Sequence, residues 1–194
     1  MHIFTLVLSL DFSCSNLRAM ALDTNSSIWN FETWGRPCRL VSPLLDCSSL
    51  ETTPVQIQCD TLFSAVLTRS GDVYVWSMHE EGMVKYRNES RRAIVPNDRT
   101  VVPHHTWEIN MYPTKLPSLP DLPDLPMTGL PEEEHRKETK LIKIVACSNS
   151  LIGLTNKGHV LKMGRLYGED PIWVWDYVSE GAWMIWHSLL NCDM

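Results

Sequence analysis

Six cysteines and seven histidines are the side chains of this chain best suited to hold a metal or to attack a substrate, and their spacing argues against both. Cys14, Cys38, Cys47, Cys59, Cys147 and Cys192 form no CxxC pair and no cysteine–histidine spacing suited to tetrahedral zinc. His2, His79, His104, His105, His135, His159 and His187 are scattered, and the adjacent pair His104-His105 points to two sides of an extended chain. Glu132, Glu133 and Glu134 are a solvated charge run, not an acid and base tuned by separate surroundings. No nucleophile elbow, phosphate-binding glycine loop or dinucleotide fingerprint occurs. The expectation is a non-enzyme with no catalytic residue, no cofactor and no metal. What remains is binding, for which Trp and Arg are the usual anchors. Trp34, Arg36 and Arg39, in an excursion outside the repeated pattern described next, are the predicted partner contacts; packing between sheets for Trp34 and a loop ion pair for the arginines are the competing structural roles.

The elements that would position these residues repeat. Cys14 to Phe31 (CSNLRAMALDTNSSIWNF) aligns without a gap with Cys59 to Trp76 (CDTLFSAVLTRSGDVYVW) at an offset of 45 residues. Cys147 to Gly164 (CSNSLIGLTNKGHVLKMG) aligns with the second stretch at 87 residues from Gly71 to Gly158 onward, with one residue deleted between cysteine and turn. Each stretch reads as two short β-runs around a tight loop, a hairpin. Gly71 and Gly158 stand where the chain leaves the turn, a place that favours positive φ. The first stretch has Ser26 there, after Asn25, which predicts a shifted turn and a weaker unit. Cys14, Cys59 and Cys147 fall on one repeat position and are expected to be buried thiols. Gly164, Trp29 and Trp76 are further repeat positions, the tryptophans expected between sheets. Small residues (Ala19, Ala21, Ser64, Ala65, Gly153) alternate with large ones, as a tapered radial packing of sheets requires.

A period of 45 residues fits four short strands, one propeller blade. The pattern S-x-A-x-L-T-x-x-G-x-V-Y-x-W of the second unit, echoed by L-T-x-x-G-x-V-L-x-x-G in the third, resembles the repeat of the regulator of chromosome condensation family and of beta-lactamase-inhibitor protein II. The fold class implied is all-β, a partial β-propeller of about three to four blades of a seven-bladed ring. Units lie at 8–40 and 55–77; residues 78–112 read as a degenerate blade or an elaborated loop; 113–140 form a Pro-rich and charged linker; 141–194 hold the third unit and a Trp-rich tail. The linker, with LPSLPDLPDLP, is expected to be extended polyproline II or disordered rather than sheet.

Trp29 to Leu40 (WNFETWGRPCRL), with GDVYVW and GLTNKGHVLKMG, is similar to fungal F-box proteins of the SCF-associated factor type. That resemblance implies a propeller that recruits a protein for ubiquitination, with a Skp adaptor bound only if an F-box lies outside this chain, because none is present here. The alternatives are a guanine-nucleotide exchange factor-like propeller for a small GTPase, and an incomplete gene product without activity of its own. Net charge −6 and pI ≈ 5.6 argue against a nucleic-acid surface. Arg87, Arg91, Arg92 and Arg99 form one local cluster, interrupted by Glu89 and Asp98. No apolar run reaches the roughly 20 residues of a membrane helix. Leu8 to Cys14, in the register of Leu141 to Cys147, reads as a strand entering the first unit. The alternative is a secretory signal over the short apolar run Ile3 to Leu10, which has no Lys or Arg before it and no small-residue cleavage site. Protein partners in an intracellular setting, cytoplasmic or nuclear, complete the expectation. His159, just past the third turn, is expected on the hairpin surface.

Overall fold

The computed structural model describes residues 9–16, 18–32, 38–49, 51–77, 79, 84, 107–122 and 138–178. Among these, three sheets form. The first runs in the order β1 (Ser9–Cys14), β2 (Arg18–Asp23), β3 (Ile28–Glu32), β4 (Cys38–Val41) and β8 (Trp107–Asn110). The second is β5 (Pro54–Cys59), β6 (Phe63–Thr68), β7 (Val73–Ser77) and β9 (Thr114–Lys115). The third is β10 (Leu141–Cys147), β11 (Ser150–Thr155), β12 (Val160–Met163) and β13 (Trp175–Tyr177). All pairings are antiparallel except β4 with β8, which is parallel.

The sheets stack as blades. β5 packs against β1 and β2, and β10 packs against β5 and β6 in the same way. Alternation along the middle blade feeds two cores at once. Ile57, Cys59, Val66, Tyr74 and Trp76 point back into a cluster with Met20, Leu22, Ile28 and Leu40 of the first blade. Phe63, Ala65, Leu67, Val73 and Val75 point forward into a cluster with Ile144, Leu151, Leu161 and Met163 of the third. Every residue of β6 is therefore buried. A strand with period two and both faces covered reads as a continuous apolar run, and each large side chain so buried contributes about 1.5–3 kcal/mol relative to exposure.

The three hairpin turns have one hydrogen-bond pattern. The amides of Ser26, Gly71 and Gly158 donate to the carbonyls of Asp23, Thr68 and Thr155 at 2.9, 3.0 and 3.0 Å. The third turn residue is left-handed in each, with φ of 59° at Ser26, 95° at Gly71 and 85° at Gly158. The expected shift onto Asn25 does not occur. The Asp23 carboxylate explains why: it accepts from the amides of Asn25 (2.9 Å) and Ser27 (2.8 Å) and from Trp29 Nε1 (2.9 Å), which holds serine in the unfavourable well.

The cysteine register differs from the sequence alignment. Cys14 pairs with Ala19 and Cys59 with Ser64, one equivalent position. In the third blade Ala146, paired with Leu151, occupies that position, and Cys147 lies one residue beyond, opposite Ser150. The 87-residue offset runs through both strands with no deletion, so Cys147 matches Asp60 at the hairpin end. Cys59 is buried, whereas Cys14 and Cys147 are exposed. Trp76 is 1% exposed at the seam of the first two blades. Trp29 is half-buried and pinned to Asp23; its equivalent in the middle blade is Tyr74, not Trp76.

Part of the Pro-rich stretch is sheet. Thr114 and Lys115 pair with Val75 and Tyr74 as the fourth strand of the middle blade. The following leucines, Leu116, Leu119 and Leu122, recur every third residue and so share one side of a three-per-turn chain. Leu116 and Leu122 are buried in the forward core and Leu119 packs against it. Residues 123–137 lie outside the described ones, as does most of 78–106; Trp107–Asn110, at the end of the stretch read as a degenerate blade or loop, extends the first blade.

Gly71→Ala puts a methyl group within 2.6 Å of Lys140 Cβ and 3.0 Å of the Leu141 amide nitrogen while keeping φ at +95°. A loss of about 1–3 kcal/mol in denaturant unfolding is expected. Ser26→Gly relieves the same conformation at the first turn, and a gain of up to about 1 kcal/mol is expected.

Candidate functional site

The three leading strands share a feature that the sequence alignment did not expose. Each pairing slips by one residue at the same place, between Ser9 and Asp11, between Pro54 and Gln56, and between Leu141 and Lys143. The extra residue is a β-bulge, which bends the strand and re-aims the next side chain. That next side chain crosses to the following blade. Asp11 Oδ2 accepts the Ile57 amide at 2.7 Å, and Ser13 Oγ accepts the Cys59 amide at 3.0 Å. One blade on, Gln56 Oε1 accepts the Ile144 amide at 2.8 Å while its Nε2 donates to the Ile144 carbonyl at 3.0 Å, and Gln58 Oε1 accepts the Ala146 amide at 3.4 Å. Ile57, Cys59, Ile144 and Ala146 lie on edge strands, whose outward amides have no ladder partner. Side chains of the preceding blade supply one.

A second bridge reinforces the first seam. Arg18, 4% exposed, donates from Nε (3.3 Å) and Nη2 (2.7 Å) to the Asp60 carbonyl and from Nη2 to the Phe63 carbonyl. The equivalent of Arg18 in the middle blade is Phe63, which stacks on Tyr167 with centroids 6.2 Å apart. Thus the leading-strand edge of these sheets is committed to holding blades together.

The predicted contact residues fall elsewhere. Arg39 sits on β4, paired with Trp29 on one side and with Glu108 of β8 on the other. Its Nη1 meets Glu108 Oε1 at 3.3 Å with both side chains about half exposed. An ion pair at such exposure contributes about 0–1 kcal/mol, so it orients the guanidinium more than it stabilises the sheet. Trp34 and Arg36 lie outside the described residues. On the middle blade, Lys115 Nζ meets Asp72 Oδ2 at 2.8 Å, and this hydrogen bond raises the Lys115 pKa above its ordinary value. Asp72 borders a cavity of about 280 Å³ between the turn at Ser70–Val73, Leu116–Leu119, Glu138–Leu141 and Trp175. Its size is at the low end for a small-molecule site.

Among the described residues no cluster of three or more His, Cys, Asp or Glu could hold a metal ion, and no helix is long and apolar enough to cross a membrane. His159, expected on the surface, is 4% exposed, its ring edge-on to Tyr177 at 5.6 Å. Trp175 Nε1 donates to the Pro117 carbonyl and Trp173 Nε1 to that of Leu166, each at 3.0 Å. These indoles tie β13 and the segment leading into it to their surroundings. Trp183 and Trp186 are outside the described residues.

No protein-family model matches this chain, and no curated protein sequence matches it. Solved structures do. Human WBSCR16 aligns with a TM-score of 0.48 at 17% identity, over 87% of this chain and 39% of that one. Prp20p from Saccharomyces cerevisiae, a protein with binding properties toward Gsp1p and histones, aligns at 0.45 and 14% identity, over 80% of this chain and 32% of its own. Yeast RCC1 (Prp20) bound to Kap60 gives 0.44 and 15%, over 79% and 31%. The chain therefore spans less than half the length of each. Among the described residues its sheets are all-β and mainly antiparallel and stack one on the next as blades, β5 on β1 and β2 and β10 on β5 and β6.

Burial pushes the Cys59 thiol up from its ordinary value, so its reactive thiolate is scarce at neutral pH. In a maleimide time course at pH 7.5, Cys14, Cys47 and Cys147 are expected to label at least tenfold faster than Cys38 and Cys59. Rapid native labelling of Cys59, mapped by peptide mass, contradicts the seam described here.

Proposed function

We propose that this chain is a non-catalytic, protein-interacting part of a propeller, and that it engages a protein partner at the outer edge of the first blade. One observation carries the reading. The blades are held together through β1, β5 and β10 and the hairpins next to them, while Arg39 and Glu108 stand on β4 and β8, at the opposite edge of the first sheet. Their charge is not used at either seam. The segment 33–37, which carries Trp34 and Arg36, leads directly into β4. An arginine pre-oriented by a carboxylate, beside a tryptophan and a second arginine in sequence, has the composition of a protein-binding patch. A setting in the cytoplasm or nucleus belongs to the same reading.

Two finer readings follow. A substrate-recruiting subunit of an SCF-type ubiquitin ligase rests on the sequence resemblance alone. A propeller that promotes nucleotide release from a small GTPase has, beside the family resemblance, a fold neighbour that binds Gsp1p and histones, and we favour it of the two. Nucleotide-release kinetics separate them: acceleration of tenfold or more is expected for an exchange factor, and no acceleration for a ligase subunit. For the patch itself, capture of a binding protein by the full chain is expected to fall at least fivefold with Arg39→Ala and with the pair Trp34→Ala and Arg36→Ala, at unchanged melting temperature. Undiminished capture by both variants overturns the assignment.

A further inference from the structure

The two seams are built from equivalent positions, yet three of those positions are polar in the first seam and apolar in the second. Among the described residues, three side chains that are at most 1% exposed carry a polar atom with no hydrogen-bond partner: Asn30 Oδ1, Ser64 Oγ and Trp76 Nε1. All three face the first seam. Ser64 stands opposite Trp76 in the β6–β7 pairing, and Trp76 belongs to the core shared with the first blade. Asn30 stands between Met20 and Cys38, which belong to the same core. Directly paired residues of neighbouring strands project to one side of a sheet, so Asn30 and Ser64 enter that core from its two walls. The Asn30 Nδ2 contacts Cys38 Sγ at 3.9 Å, which leaves the amide oxygen as the unpaired end.

The second seam supplies the control. Its register places Val75 where the first blade has Asn30, Leu151 where the middle blade has Ser64, and Met163 where it has Trp76. Val75, Leu151 and Met163 all lie in the core between the second and third blades. A polar atom buried without a partner incurs its whole desolvation penalty, and here three are gathered in one seam. Their chemistry defines what satisfies them. Trp76 Nε1 only donates, Asn30 Oδ1 only accepts, and the Ser64 hydroxyl does both. An anion has nothing to donate to Asn30, and a metal cation has nothing with which to accept from Trp76. A small neutral molecule that does both is required, and water makes about three such bonds in a buried site.

We propose that the seam between the first and second blades is an internal hydration site, in which bound water accepts from Trp76 Nε1, donates to Asn30 Oδ1 and bonds Ser64 Oγ. The three side chains then act as a unit. Removing one strands the others, whereas replacing all three by the residues of the second seam removes the need for water. The site does not depend on any partner at the Arg39 edge.

The test uses the full chain, isotopically labelled for NMR, with water itself as the probe. The Trp76 indole resonance is identified by its disappearance in Trp76→Phe. Water-selective NOE and ROE spectra are expected to show a cross-peak from water to the Trp76 indole proton, opposite in sign in the two experiments, as long-lived bound water gives. N30V/S64A is expected to weaken it at least fivefold. Stability is a second readout with a sign of its own. Asn30→Val and Ser64→Ala are each expected to lower the melting temperature, while N30V/S64L/W76M, which copies the second seam, melts no lower than either. Should the triple variant fail to fold, the NOE and the two single variants decide. Absence of the cross-peak in the folded wild-type chain overturns the proposal. A cross-peak of equal sign in both experiments, the mark of proton exchange with outside solvent, does the same. So does a rise in melting temperature in both single variants, the result that partnerless polar atoms give when they are removed.

Discussion

The exposed edge of the leading strand is the constraint on which this structure turns. A sheet must end somewhere, and its last strand presents backbone amides with no ladder partner. Burying such an amide without a partner costs about 1–3 kcal/mol, which two stacked blades would incur at every outward rung. The chain resolves this locally. A bulge placed identically in β1, β5 and β10 turns the next side chain outward, and Asp11, Ser13, Gln56 and Gln58 satisfy the edge of the blade ahead. Packing and polar satisfaction thus occur at the same seam. The blades cannot slide relative to one another without breaking both.

That coupling explains the division of labour across each sheet. The inner strands and their hairpins are fixed by neighbouring blades, so Arg18, a buried cation, is spent on carbonyls of the next hairpin. The outer strands answer to fewer constraints. β8 joins β4 in parallel, β9 is two residues long, and the chain between blades departs from the repeat altogether. Binding chemistry can vary there without disturbing the stack, which is the usual reason that loops and edges carry recognition.

Much of this was legible in the residues. The hairpins, the glycine turns and the blade period all follow from apolar runs and from Gly71 and Gly158. The seam chemistry was not, because Asp11, Gln56 and Lys143 share a position but not a residue type; only the pairing register reveals that they are equivalent. The cysteine phase misled for a related reason. Aligning Cys147 with Cys59 required a deletion, and the true equivalence puts Ala146 there, a residue with no signature. The Pro-rich stretch was read from its prolines, which forbid ladder bonds, whereas its leucines, three apart, decide where it packs. His159 was assigned to the surface by position in the turn, but Tyr177 of β13, the strand paired with β12, lies against its ring. Contacts between elements far apart in sequence leave no local mark.

Native-state hydrogen exchange of the edge amides tests the central claim most directly. If side chains of one blade cap the next, the Ile57 and Ile144 amides exchange only through opening of the seam, with protection close to that of the β6 ladder amides, and substituting Asp11 or Gln56 by leucine exposes one of them selectively. Exchange of Ile57 and Ile144 in the intact chain at the rate of an open strand edge would show that the blades are held by apolar packing alone.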